Sequence, residues 1–331
     1  MIRTMKRIII AAIMSIFAIS IFADDIRFTI CDGITNEAVK NRMETNISKL
    51  LSEMNRACAQ ERPLQLDNID MVLGGKKSLQ ALWKSMHFLC EDPEIEERCL
   101  TSAEGYVIRN IYIQVDPLYE GYLEERERAL TIRLSREGQI ASVVMAASDH
   151  AYERIVQNGL DVTDLERRQT ILGFVENFRS HYDEKDINAL RQVFSDDALI
   201  ITGTVVMKRE KKGDRPVLNP VITYKTQSKA EYLGHLQENF RRNKYINVTF
   251  SEINVVRHPT NPDYYCVTLR QHWRSSTYED DGYLVLLWEF REGEDPIIHV
   301  RTWQPERVGN RSLDPDEVIN IYDFTIPKKK S

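Results

Sequence analysis

Phe174-Val-Glu-Asn-Phe-Arg-Ser-His-Tyr-Asp-Glu-Lys-Asp-Ile-Asn-Ala-Leu-Arg-Gln-Val-Phe-Ser-Asp-Asp-Ala198 is the stretch from which the fold is read. Ile171, Val175, Phe178 and Tyr182 recur at helical spacing, so it opens on an amphipathic helix. Thr163 and Glu166, three apart, form a capping-box pattern ahead of that helix. Downstream, Leu233, Leu236 and Phe240 space a second helix, and Ile246 to Val256 and Tyr264 to Trp273 read as strands. Gly282 to Val300 then reads as strand, Arg-Glu-Gly turn and strand, with Gly293 in the turn.

The same grammar occurs upstream. Val39, Met43, Ile47, Leu50, Met54 and Cys58 space one helix, Leu79, Leu82, Met86 and Leu89 a second, and Tyr106 to Val115 reads as a strand. Glu127 to Val144 repeats the strand, Arg-Glu-Gly, strand pattern, with Gly138 where positive φ is cheap only without a Cβ. The two turn glycines lie 155 residues apart, whereas the first helices are offset by about 124 (Ile47 to Ile171). The second half thus holds about 30 extra residues, some of them in Met207 to Leu218. There, Lys208 to Pro216 is charged and reads as a hairpin tip, either a basic patch for an acidic partner or a solvated loop. The boundary between halves falls near residues 147–162, where Asn158-Gly159 breaks a short helical stretch.

The quoted stretch and the Gly282 to Trp303 hairpin resemble the nuclear-transport-factor-2-like superfamily, which includes SnoaL-like polyketide cyclases and steroid isomerases. That superfamily opens with a long helix, a polar turn containing Asp, a short helix, and Phe-x-Asp-Asp-Ala leading into a strand. The resemblance covers residues 163–305; residues 30–147 share it only through the repeat and lack the Asp-Asp-Ala signature. It implies an α+β fold of two tandem cone-shaped domains, each a curved antiparallel sheet wrapped on helices with a pocket at its open end. The expected order is a first cone at 24–147, a connection at 148–162, a second cone at 163–305 and a tail at 306–331. It also implies positions for isomerase chemistry: the base carboxylate falls at Thr202 and the helix tyrosine at Phe178, and the penultimate strand, Tyr283 to Trp288, carries no carboxylate. Thr cannot act as a base near neutrality and Phe has no proton to donate. Members of the superfamily include isomerases, dehydratases, cyclases and non-catalytic domains, so the fold does not choose among them.

Composition sets the class. Lys plus Arg is 44 and Asp plus Glu is 50 in 331 residues, a formal charge of -6, which disfavours a nucleic-acid binder. Arg3, Lys6 and Arg7 precede an apolar run from Ile8 to Ala23, too short to span a bilayer and followed by Asp24-Asp25. Residues 1–23 read as a signal peptide, with an N-terminal membrane anchor as the alternative, and Ile21 is bulky for its place three residues before the cut. Its removal takes three positive charges and moves the formal charge from -6 to -9. Cys31 has no small residue before it, so no lipid attachment is expected. The expectation is an exported protein, periplasmic or secreted, with no transmembrane segment after cleavage.

Export fits disulfides, and among the five cysteines Cys90 and Cys99 are the most plausible pair, buried reduced thiols being the alternative. No CxxC or HxxxH occurs, and no metal or cofactor is expected. Phosphate-loop, G-x-S-x-G and H-E-x-x-H motifs are absent.

Candidate site residues come from strand alternation. If one face holds Arg270 and His272 of the 264–274 strand with His299 and Arg301 of the last strand, they form a cationic group. That group reads as an anion or acid/base site in the pocket, as a docking surface for the first half or a second protomer (a homodimer through the sheet face), or as a solvated face. Tyr232 and His235, with Glu231, could line the cone mouth; His87 and Cys90 could share a ligand at a helix end; Asp196 and Asp197 read as a turn or as a carboxylate pair. The apolar stretch Ile319 to Ile326 suits a tail that packs back. The leading expectation is an exported non-catalytic binding protein for a small apolar ligand or an envelope protein. The rival is a small-molecule isomerase, dehydratase or cyclase-like enzyme with its site in the second cone.

Overall fold

The protein's structure, a computed structural model, describes residues 25–84, 86–102, 104–117, 127–146, 165–212, 215–258, 261–291 and 294–320. The expected signal peptide, the 148–162 connection, Thr163, Gly293 and residues 321–331 lie outside the described residues. The chain divides into two compact units between Ala146 and Ala147.

In the first unit, Asn36 caps helix α1 (Glu37–Ala59), its side chain accepting from the Ala38 and Val39 N–H groups. Met43, Ile47, Leu50, Leu51 and Met54 form the buried stripe of α1. Strand β1 (Arg27–Asp32) runs beside the helix, and three helix side chains satisfy its free edge. Ser52 and Ser48 hydroxyls accept from the Ile26 and Phe28 N–H groups at 2.8 and 2.9 Å, and the Glu44 carboxylate accepts from Ile30 at 2.8 Å. The match is metric, since four helical residues rise about 6 Å and two strand residues about 6.6 Å. Helix α2 (Leu73–Trp83) packs on strand β6 (Ile140–Met145). The remaining strands are β2 (Met86–Leu89), β3 (Glu94–Thr101), β4 (Gly105–Pro117) and β5 (Glu127–Ser135), in the order β1-β3-β4-β5-β6 with β2 paired to β4. Gly138 takes φ +83, and Asn46 of α1 donates to its carbonyl at 3.2 Å, docking the turn on the helix.

Two expectations change here. The helix expected across Leu79 to Leu89 stops at Trp83, because Met86–Leu89 pairs with β4 and buries Met86, His87 and Phe88, on both its faces. The unit also begins with a strand, and β1 pairs with β3 in parallel, so the sheet is mixed.

The second unit starts with helix α3 (Leu165–Asp183), whose Ile171, Val175, Phe178 and Tyr182 are buried as their spacing requires. A turn through Lys185, at φ +57, leads to helix α4 (Ile187–Val193), capped by Asp186. The Asp183 carboxylate accepts from the Val248 N–H at 2.7 Å, and Lys185 donates to the Asn243 and Lys244 carbonyls. This polar turn therefore fixes the end of α3 to the following sheet. Strands β7 (Phe194–Lys212) and β8 (Arg215–Gln227) form one long hairpin that includes Met207 to Leu218. Helix α5 (Lys229–Arg242) follows, closed by a Ser228/Glu231 capping box. Strands β9 (Ile246–Arg257), β10 (Tyr264–Ser275), β11 (Glu279–Glu289) and β12 (Ile297–Pro305) complete the sheet, in the order β8-β7-β12-β11-β10-β9. The β12–β7 pair is parallel, so this sheet is mixed as well. No hairpin of this kind separates the helices of the first unit, and the two sheets follow different strand orders.

The helices cover one face of the second sheet and enclose an aromatic core. Phe178 lies within ring contact of Tyr182, Phe194, Phe250 and Trp288, at centroid distances of 5.1 to 6.3 Å. Cys266, Val285, Leu287 and Val300 make a smaller buried cluster on the opposite face. After β12 the chain turns back: the Gln304 side chain donates to the Glu317 carbonyl at 3.0 Å and accepts from the Ile319 N–H at 2.7 Å.

Candidate functional site

A bulge decides which side chains of β12 face the core. The register of β12 with β11 shifts between Ile298 and Val300, leaving His299 as the extra residue, and at the same place the pairing with β7 skips from Phe194 to Leu199. Beyond a bulge, alternation restarts one residue out of phase. Ile298, Arg301 and Trp303 consequently share the concave face, while Val300 joins the opposite cluster.

Arg301 is the polar centre of that face. It is 6% exposed, its guanidinium lies 4.8 Å from the Tyr232 ring centroid, and it hydrogen-bonds the Tyr182 hydroxyl. The Tyr182 and Tyr232 hydroxyls are 2.8 Å apart. Burial, then the neighbouring Tyr232, pushes the Tyr182 phenol well above its ordinary range, so it stays protonated. No salt bridge to Arg301 forms among the described residues; Asp280 reaches it only as a charge at longer range. Asp280 shares the concave face of β11 with Leu284, Leu286 and Trp288, and it accepts from the Tyr278 hydroxyl at 2.5 Å. Burial pushes its carboxyl upward. Trp273 packs edge-on against Tyr182 at 5.8 Å. Tyr232, Trp273 and Asp280 are partly exposed, so the cluster meets solvent through them. Chemically it offers a fixed cation, two phenol hydroxyls and one carboxyl whose nearest bond is already made.

No family model and no curated protein matches this chain. Solved structures similar to it include Bd1075 of Bdellovibrio bacteriovorus, with 15% identity over 62% of this chain and 78% of that one, at a TM-score of 0.32. An NTF2-like protein of unknown function from Pseudomonas putida KT2440 shares 12% identity over 45% of this chain and 92% of its own, at 0.30. ActVI-ORFA of Streptomyces coelicolor shares 10% over 42% and 96%, also at 0.30. The long helix, Asp-bearing turn, short helix and closing β11–β12 hairpin that the sequence pattern led us to expect appear in the second unit in that order.

Within the second unit the expected cationic group is not assembled. Arg270 pairs with Glu306 at 2.6 Å and Glu252 at 3.6 Å, and His272 with Asp281 at 2.5 Å. His299 bonds Glu289 at 2.8 Å beside the Tyr264 ring. Asp281 and Glu289 lie at opposite ends of β11, roughly 25 Å apart along an extended strand. Arg301 is turned to the other face by the bulge. Arg270, His272 and His299 thus each have a carboxylate partner, in separate places.

Other expected residues have structural partners. His235 bonds the Gln227 side chain at 2.9 Å, and Glu231 closes the capping box beside Tyr232. Lys229 holds Asp196 at 2.9 Å, and the Ser195 hydroxyl donates to Asp197. Thr202 accepts from Gln227 at 3.3 Å, and Phe178 is fully buried. In the first unit, His87 lies on β2, stacked on Trp83 at 4.5 Å, not at a helix end. Cys90 and Cys99 are free and buried, with no disulfide. The Cys90 Sγ lies 3.6 Å from the Tyr112 carbonyl and Cys99 pairs with Ile108, which separates the two thiols by roughly 13 Å of β4. Burial pushes both thiols up to about 11.

Two site residues escaped the sequence reading. Tyr182 sits one helical turn beyond Phe178 on the same face, so a count that stops at Phe178 ends one turn early. Asp280 lies on β11 because the strand begins at Glu279, before the Gly282 at which the sequence pattern becomes apolar.

Proposed function

We propose that this chain is an exported, non-catalytic binding protein of two tandem cone domains, which holds a small ligand at the Arg301–Tyr182–Tyr232 cluster of its second domain. Export rests on the cationic start, apolar run and polar junction of residues 1–25. Among the described residues, no helix is long and apolar enough to cross a membrane. The observation that carries the binding reading is the concave face itself. It gathers donors around one buried guanidinium, whereas the groups suited to moving protons, His272, His299 and Asp196, are paired elsewhere. Thermal shift and tryptophan fluorescence against a panel of small envelope metabolites test it. Saturable binding without turnover of unsaturated-ketone isomerase or hydroxy-acid dehydratase substrates is expected, and turnover lost in Asp280→Asn would overturn it.

That last variant addresses the enzymatic alternative. Asp280 favours it, as a carboxyl raised by burial on the face that carries two phenols.

A further inference from the structure

We infer that the second cone is selective for monoanions: it takes the carboxylate of a small acid with an apolar body, held by Arg301, Tyr232 and the Trp303 indole. This inference rests on the binding reading above and names the class of its ligand.

Among the described residues, the buried side-chain polar atoms that the concave face of the sheet leaves without a hydrogen-bond partner are Arg301 Nε, Trp288 Nε1 and Trp303 Nε1. All three are donors. Arg301 and Trp303 lie two residues apart on one face of β12, so their unmet donors serve the same side of the sheet. Arginine keeps its charge at every accessible pH, and a buried charge without a counter-ion is strongly disfavoured. Elsewhere in this unit, buried or half-buried arginines do have carboxylates: Arg270 has Glu306 and Arg179 has Asp183. Arg301 has two phenols in place of an acid. The Tyr182–Tyr232 pair uses one of its two hydroxyl protons in its own bond, which leaves the other to donate. One acceptor carrying one negative charge would complete this set. A neutral carbonyl would fill the donors and leave the charge; a dianionic phosphate would need a second cation, and none faces the cluster among the described residues. The ligand's body would meet Trp273, Phe194 and the Tyr232 ring. Asp280, on the same face, opposes an anion, so its charge limits affinity without occupying the donors.

The test uses the full chain with acetate, benzoate and octanoate, each beside its primary amide, followed by thermal shift and tryptophan fluorescence. Benzoate or octanoate should raise the melting temperature while the matching amide does not. Arg301→Met should stay folded and lose the carboxylate response by at least about tenfold, as expected for a charge-assisted bond. Tyr232→Phe, whose ring stays in place, should weaken it less, and Asp280→Asn should strengthen it. Equal binding of acid and amide, or an undiminished carboxylate response in both Arg301→Met and Tyr232→Phe, overturns the anion site but leaves the cone a ligand pocket. Binding of no acid and no amide overturns both readings.

Discussion

Phe178 shows how much a single residue settles in this fold. Its ring contacts helix, hairpin and sheet aromatics together, so Phe178→Ala should cost about 3–5 kcal/mol in urea unfolding, through lost transfer and an unfilled cavity. Tyr182→Phe keeps the ring and removes a hydroxyl bonded to both Tyr232 and Arg301, so about 1–3 kcal/mol is expected. The thiols give a second test at this scale. Cys31 is exposed, while burial pushes Cys90 and Cys99 up to about 11 and Cys266 up to about 12. In native conditions a thiol reagent should label Cys31 quickly and Cys90, Cys99 and Cys266 only on unfolding, and dithiothreitol should leave the melting temperature unchanged. Core identity was legible in the sequence at this scale because helical spacing alone places Ile171, Val175, Phe178 and Tyr182. Thiol pairing was not, because a short separation between Cys90 and Cys99 says nothing about the strand that runs between them.

At the scale of elements, alternation read the long, regular β10 correctly and failed on β12, where one extra residue inverts everything after it. Sequence periodicity carries no mark of a bulge, so Arg301 was assigned to the wrong face while Arg270 and His272 were assigned to the right one. Deleting His299 should therefore do more than remove an imidazole. It would turn Arg301, Thr302 and Trp303 over, and the expected result is loss of the cooperative unfolding transition, whereas His299→Ala should retain it. The same bulge sets a pH dependence. Burial raises the Glu289 carboxyl, but hydrogen bonds from Arg291 and His299 outweigh it and bring the pKa down to about 2 from 4.5. A lowered folded-state pKa stabilises above the unfolded value, and that contribution, roughly 3 kcal/mol, is lost as pH falls from 4.5 towards 2. Stability of Glu289→Gln should consequently fall less steeply over that interval in acid titrations followed by circular dichroism.

For the whole molecule, the α+β class was readable from helix spacing, and the helix, turn, short helix and strand order of the second half from the stretch ending in Phe-x-Asp-Asp-Ala. The identity of the two halves was not: shared strand-turn-strand grammar concealed a parallel edge strand in one and a long hairpin in the other. Intact mass of protein recovered from the extracellular or envelope fraction should correspond to a chain starting at Asp24; a retained Met1 would refute signal cleavage, and recovery from the cytoplasm alone would refute export. On the binding proposal, the second unit presents its unmet donors to an acceptor-bearing ligand. Indole N–H resonances report it directly, because the four tryptophans supply both site and control. Trp83 already donates to the Arg62 carbonyl at 3.0 Å in the first unit, whereas Trp303 has no partner. On titration with benzoate, the Trp303 indole signal should move downfield saturably while that of Trp83 stays fixed. A Trp303 signal that does not move, or one that moves in step with Trp83, would contradict the account.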